Sequence, residues 1–119
     1  MDINETIDFL NKHDEITEFY VLSKEIKLFL DIGHDSFYPE IKIKIYKSSV
    51  IESLPYHFDV SHHVHTPTQI SPYYPSRTSA QTEDEAISQA ISTTTSFLKS
   101  ALAQGLEPDD TWLVPNKRF

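Results

Sequence analysis

The residues with the most chemistry to offer recur at a spacing of two: His57, Asp59, Ser61, His63 and His65. Alternate side chains of an extended strand share a face, so this run sets three imidazoles, a carboxylate and a hydroxyl side by side. His63 and His65 have the spacing at which two imidazoles converge on one metal ion, and Asp59 could add an oxygen ligand. A further ligand would have to come from a neighbouring strand, with His34 the candidate. A solvated, His-rich sheet face has the same pattern, and no Glu-x-x-His or cysteine partner accompanies it. The expectation is no catalytic metal and no cofactor, with His63, His65 and Asp59 as the weak metal candidates.

A second constellation suits ligand binding. Residues 67–79 form a loop stiffened by Pro67, Pro72 and Pro75 that carries Tyr73, Tyr74, Arg77 and Thr78; the end of the chain carries Trp112, Asn116, Lys117, Arg118 and Phe119. Arg77 and Arg118 are the only arginines, and each lies beside aromatic and hydroxyl or amide side chains. A guanidinium fork can make two parallel bonds to a phosphate while an adjacent ring stacks on a base. Tyr73, Tyr74, Arg77, Thr78, Asn116 and Arg118 are therefore the predicted ligand-binding residues, forming one site that a neighbouring subunit would help complete. Two glycines in all leave no phosphate-cradling loop, and there is neither a cysteine nor a recognisable serine elbow. Covalent catalysis has no support, so no enzyme is expected.

The elements that must position these residues can be read from periodicity. Asp2 and Glu5 have capping-box spacing ahead of Ile3, Ile7 and Leu10, predicting a helix over residues 3–12. The period then changes to two: residues 16–22, 26–32, 41–45 and 58–64 predict four strands, each with one apolar and one mixed face. Thr82 with Glu85 opens a second, longer helix, and Gly105 suits its left-handed terminus. Its stripe of Ala86, Ile87, Ala90, Ile91, Thr94, Phe97, Leu98, Ala101 and Leu102 can lie across the sheet. The predicted fold is α+β, a single domain over residues 1–119. It is a two-layer α-β-β-β-β-α arrangement with an antiparallel meander sheet and helices packed on one face.

Length and charge limit the partners. A chain of 119 residues with 39% hydrophobic side chains can build one core. Eighteen acidic against ten basic side chains, net −8, oppose duplex nucleic acid, and no apolar run suggests a membrane span or leader. Cytoplasmic residence is expected. The outer face of the second helix is a neutral, hydroxyl-rich surface around residues 92–96, where another copy can approach without burying charge; a homo-oligomer, a dimer or higher, is the expectation.

The ending Gly105…Pro108…Trp112-Leu113-Val114-x-Asn116, after an antiparallel sheet and one long helix, resembles the Thoeris anti-defence family of phage proteins. The resemblance covers the C-terminal half. It implies a non-enzymatic sponge that sequesters a cyclic ADP-ribose isomer or a cyclic oligonucleotide, evading an antiviral pathway in the host cytoplasm. Two other readings stand beside it. The −8 charge suits an acidic interaction or inhibitor module docking on a basic partner, and the His spacing suits a small metal- or His-dependent hydrolase.

Overall fold

A computed structural model describes residues 1–119. Helix α1 spans Ile3–Asn11, with the Asp2 carboxylate accepting the Glu5 N–H at 2.8 Å. Three antiparallel strands follow, β1 (Val21–Phe29), β2 (Glu40–Lys47) and β3 (Tyr56–Val60). Two short strands, β4 (His62–Val64) and β5 (Ser79–Ala80), precede helix α2 (Glu83–Ala103). A 3-10 turn (Asp110–Trp112) leads into the last strand, β6 (Leu113–Pro115). The main sheet has the order β1-β2-β3-β5, and β4 pairs with β6 as a separate two-stranded ribbon. The fold is α+β, an antiparallel sheet with helix packed upon it.

The core is a sheet of large side chains against a helix of small ones. Ile41, Ile43, Ile45, Phe58, Val60 and Val64 are buried, and Ala86, Ala90, Leu98 and Ala101 of α2 are fully buried against them. Small residues let the helix backbone come close enough for the isoleucines to fill the layer. Thr94 shares this face, its hydroxyl donating to the carbonyls of Ala90 and Ile91. Thr82 caps the start of α2. At its end, Gly105, at φ +82°, lets its own N–H reach the Leu102 carbonyl and the Leu106 N–H reach that of Ala101.

Three expectations about strands need correcting. Residues 16–20 are not a strand, and β1 is a single run whose bulge between Leu22 and Lys24 absorbs the change of pattern. It ends at Phe29, with Leu30 and Ile32 buried beyond it. The predicted strand over residues 58–64 is broken at Ser61. There the Ser61 hydroxyl accepts the Lys42 N–H (2.7 Å), while the Ser61 carbonyl accepts the Asn116 N–H (2.8 Å). A side-chain oxygen thus replaces one ladder acceptor, and the chain passes from the main sheet to the ribbon. The fourth strand of the main sheet is β5, pairing Ser79 with His57 and Ala80 with Tyr56.

Candidate functional site

Breaking the strand at Ser61 dismantles the imidazole ladder. His57 stays on β3, where its Nε2 shares a hydrogen bond with the Ser48 hydroxyl (3.1 Å) and its ring meets Tyr20 edge-on. His65 lies beyond β4, and its Nε2 donates to the Gln69 carbonyl (3.1 Å). His34 sits in its own turn, with Nδ1 accepting the Ser36 N–H. Nowhere do three His, Cys, Asp or Glu side chains gather as a metal-ligand set. His63 and Asp59 alone remain together.

They remain together because the chain's end packs over them. Pairing of His63 with Val114 and of His62 with Pro115 brings β6 alongside β4. The Asn116 amide then locks the crossing: its Nδ2 donates to the Val60 carbonyl (2.8 Å) and to Asp59 Oδ1 (3.2 Å), and its Oδ1 accepts the Arg118 N–H (3.0 Å). Asp59, His63, Tyr74, Asn116, Lys117 and Arg118 surround an open cleft of about 670 Å³. Thr78 lines an adjoining recess of about 200 Å³ that shares Asp59, His63 and Tyr74.

The cleft combines a ring platform with unpaired positive charge. The Tyr74 ring centroid lies 4.6 Å from that of His63, yet Tyr74 is 64% exposed, so much of the ring is free to stack. Neither Lys117 nor Arg118 forms an ion pair. His63 Nδ1 is shut off from solvent without a hydrogen-bond partner. Such an atom costs on the order of 1–3 kcal/mol until a partner reaches it. Sequence offered no signal for this atom or for the closeness of Asp59 to Asn116.

The predicted site residues divide between two places. Tyr74, Thr78, Asn116 and Arg118 border the cleft and its recess. Tyr73 and Arg77 do not; they line a shallower groove of about 340 Å³ against Ser88, Gln89, Ser92 and Thr93 of α2. Tyr73 packs its ring on Phe97 (4.9 Å between centroids) and donates its N–H to the Val64 carbonyl, so it seals the core. Tyr74 and Thr78 thus join the tail as expected, whereas Tyr73 and Arg77 line a separate groove of the same chain.

One hydroxyl–imidazole pair bears on hydrolysis. His62 Nδ1 lies 2.8 Å from the Ser61 hydroxyl, in a recess of about 330 Å³ that Glu40 and Lys42 also line. The Ser61 oxygen already accepts the Lys42 N–H that holds the strand crossing, and no carboxylate lies within ion-pair distance of His62. The hydroxyl is thus engaged in the strand crossing, and the pair has no third group to orient the imidazole. Burial holds the His62 pKa below the usual imidazole value, against the pull of Glu40, and burial likewise lowers that of His57 against Glu18.

Comparisons with protein-family models, with curated proteins and with solved structures return no match, so the site is read from its own geometry. No helix is long and apolar enough to cross a membrane.

Proposed function

We propose that this chain is a non-enzymatic binding protein that sequesters a small nucleotide-like anion in the cleft between β4, residue 74 and the tail. The observation that carries the reading is the half-free Tyr74 ring on His63 beside the unpaired Lys117 and Arg118. The ring offers a stacking surface for a base, and the two cations suit phosphate oxygens. A volume of about 670 Å³ falls within the roughly 300–1,000 Å³ usual for ligand sites. The resemblance to Thoeris anti-defence sponges specifies the ligand class as a cyclic ADP-ribose isomer or a cyclic oligonucleotide, bound in the cytoplasm of an infected host.

The protein works as a homo-oligomer in this reading, and the outer face of α2 is one contact. Thr93 and Ser96 turn their hydroxyls back onto helix carbonyls and Thr95 is buried, so the outer face is neutral, with the exposed hydroxyls of Ser88, Ser92 and Ser100 free to meet a partner. In the groove beside that face, Arg77 is placed to reach a ligand or a second subunit.

Calorimetric titration with cyclic ADP-ribose isomers and with cyclic di- and trinucleotides is the direct test. Binding at about micromolar Kd or tighter, with the ligand recovered unchanged after denaturation, is expected. Silence across that panel would refute sequestration, and recovery of a cleaved nucleotide would reveal an enzyme.

A further inference from the structure

Folding sorts the charges of this acidic chain onto different surfaces. On the face of the sheet turned away from α2, Lys27 pairs across the strands with Lys42, and Lys44 lies between Glu25 and Asp59. The Lys44 ammonium stands over the Phe119 ring (4.2 Å), and Asn116 is bonded to Asp59, so the tail brings Lys117 and Arg118 beside the same face. Five of the ten cations of the chain thus collect there, against four of its eighteen acids: Glu25, Glu40, Asp59 and Glu18, which Tyr20 holds beside His57 at one edge. Leu22 and Phe29 add exposed apolar surface, 48% and 65% open.

The opposite composition lies at the start of the chain. Asp2, Glu5, Asp8, Asp14, Glu15 and Glu18 are all exposed and share residues 1–20 with a single cation, Lys12. Met1 and Phe9 are exposed among them, 81% and 55%. Ile7 is the only buried residue of α1 and stands outside the main core.

We infer that the acidic segment 1–20 of one copy docks on the lysine-bearing open sheet face of a second copy. Charge complementarity selects a second copy because one sequence supplies both halves, each with apolar residues set among its charges. The amount of surface agrees. A monomer of 13.7 kDa exposes about 6,600 Å² by size scaling, whereas this chain exposes 7573 Å². Its radius of gyration is 16.6 Å where about 13.5 Å is usual for the length. The excess, about 1,000 Å², is enough for one such contact, to which each partner contributes roughly 800 Å².

The contact is heterologous, head to face, and therefore closes a ring or extends a chain of copies. It is separate from the α2 surface but shares Lys117 and Arg118 with the proposed ligand cleft, so a bound anion would compete with docking at that end of the face. Two copies of charge −8 repel at long range. At about 0.15 M salt the screening length falls to about 8 Å, so the docked patches feel mainly each other. Assembly should weaken again near 1 M salt, where the contact itself is screened.

The test uses two charge-reversed variants of the full chain, Lys27→Glu/Lys42→Glu and Glu5→Lys/Asp8→Lys, all at exposed positions. Wild type should sediment as an assembly at about 100 µM protein. Each variant alone should lose at least about tenfold in association constant while keeping its circular dichroism. Mixing the two in equal amounts should restore assembly, because reversed head then meets reversed face and native head meets native face. A monomeric wild type, assembly unaffected by either variant, or no rescue on mixing would each overturn the inference. So would a single-stranded oligonucleotide that binds the wild-type face tightly and not the Lys27→Glu/Lys42→Glu variant, since the face would then belong to another polyanion.

Discussion

Replacing Asn116 by alanine tests whether the tail holds the cleft together. The side chain makes three hydrogen bonds: to the carbonyl of buried Val60, to an Asp59 carboxylate oxygen and from the exposed Arg118 N–H. A neutral part-buried bond contributes about 1 kcal/mol net and one to a charged group about 1.5. The exposed third bond competes with water and contributes little. The loss is then about 2.5 kcal/mol, which for a domain of this size lowers Tm by roughly 10 °C. Differential scanning calorimetry of Asn116→Ala reads this directly. Asn116→Asp should fall further, because it keeps the shape while setting a second carboxylate against Asp59. A decrease under about 3 °C in Asn116→Ala would show that β4–β6 pairing alone holds the tail, and the argument from the amide would be refuted. A large decrease with unchanged ligand affinity would keep the anchor and move the binding site elsewhere.

Adjacent tyrosines should separate stability from binding. Tyr73→Ala should cost about 2–4 kcal/mol through lost packing on Phe97. Tyr74→Ala should leave urea unfolding nearly unchanged and weaken ligand binding about tenfold, as measured by calorimetry. Burial depresses the folded pKa of His57 and His62, so their stability contribution is complete above the unfolded value near 6.5 and declines as pH falls through the lower folded values. Urea midpoints across that window should show the decline, and it should be smaller in His57→Gln/His62→Gln. Glu83 is held below the usual carboxylate range by Lys24 and then Ser23; its contribution is present above about pH 4.5 and disappears in acid. That ion pair is part-exposed and contributes under about 1 kcal/mol, which Glu83→Gln should remove at neutral pH. Thr93→Glu/Ser96→Glu should weaken assembly in sedimentation if the α2 face is a contact, since like charges would meet across it.

What sequence made legible was whatever a short stretch decides for itself. The caps of both helices and the alternation of Ile41, Ile43 and Ile45 depend on neighbours within a few residues and took their expected form; the stripe of α2 is narrower than expected, buried at Ala86, Ala90, Thr94, Leu98 and Ala101, with Ile87, Phe97 and Leu102 only partly covered at its edge. The break at Ser61 could not be read, because the Lys42 N–H and the Asn116 N–H that cause it come from distant segments. The same limit governed the site. Tyr73 and Tyr74 are consecutive, and a non-helical backbone sends consecutive side chains opposite ways, one to Phe97 and the other to His63. That rule of two was available and would have divided the loop's aromatics. The pairing of Asp59 with Asn116, 57 positions apart, had no local trace.

The ribbon formed by β4 and β6 also governs when the cleft can exist. It joins residues 62–64 to residues 113–115 across the whole of α2, so a long loop must close before either short strand gains a partner. The strand pairing of the main sheet needs nothing beyond residue 80, and its core is completed by α2, so both precede the ribbon. Lys117 and Arg118 therefore reach the cleft last. The sheet and long helix can form without the ribbon but cannot hold an anion until it closes, and any ligand present would draw that closure forward. Fluorescence of Trp112, buried at the entry to β6, would report that closing step separately from formation of the sheet.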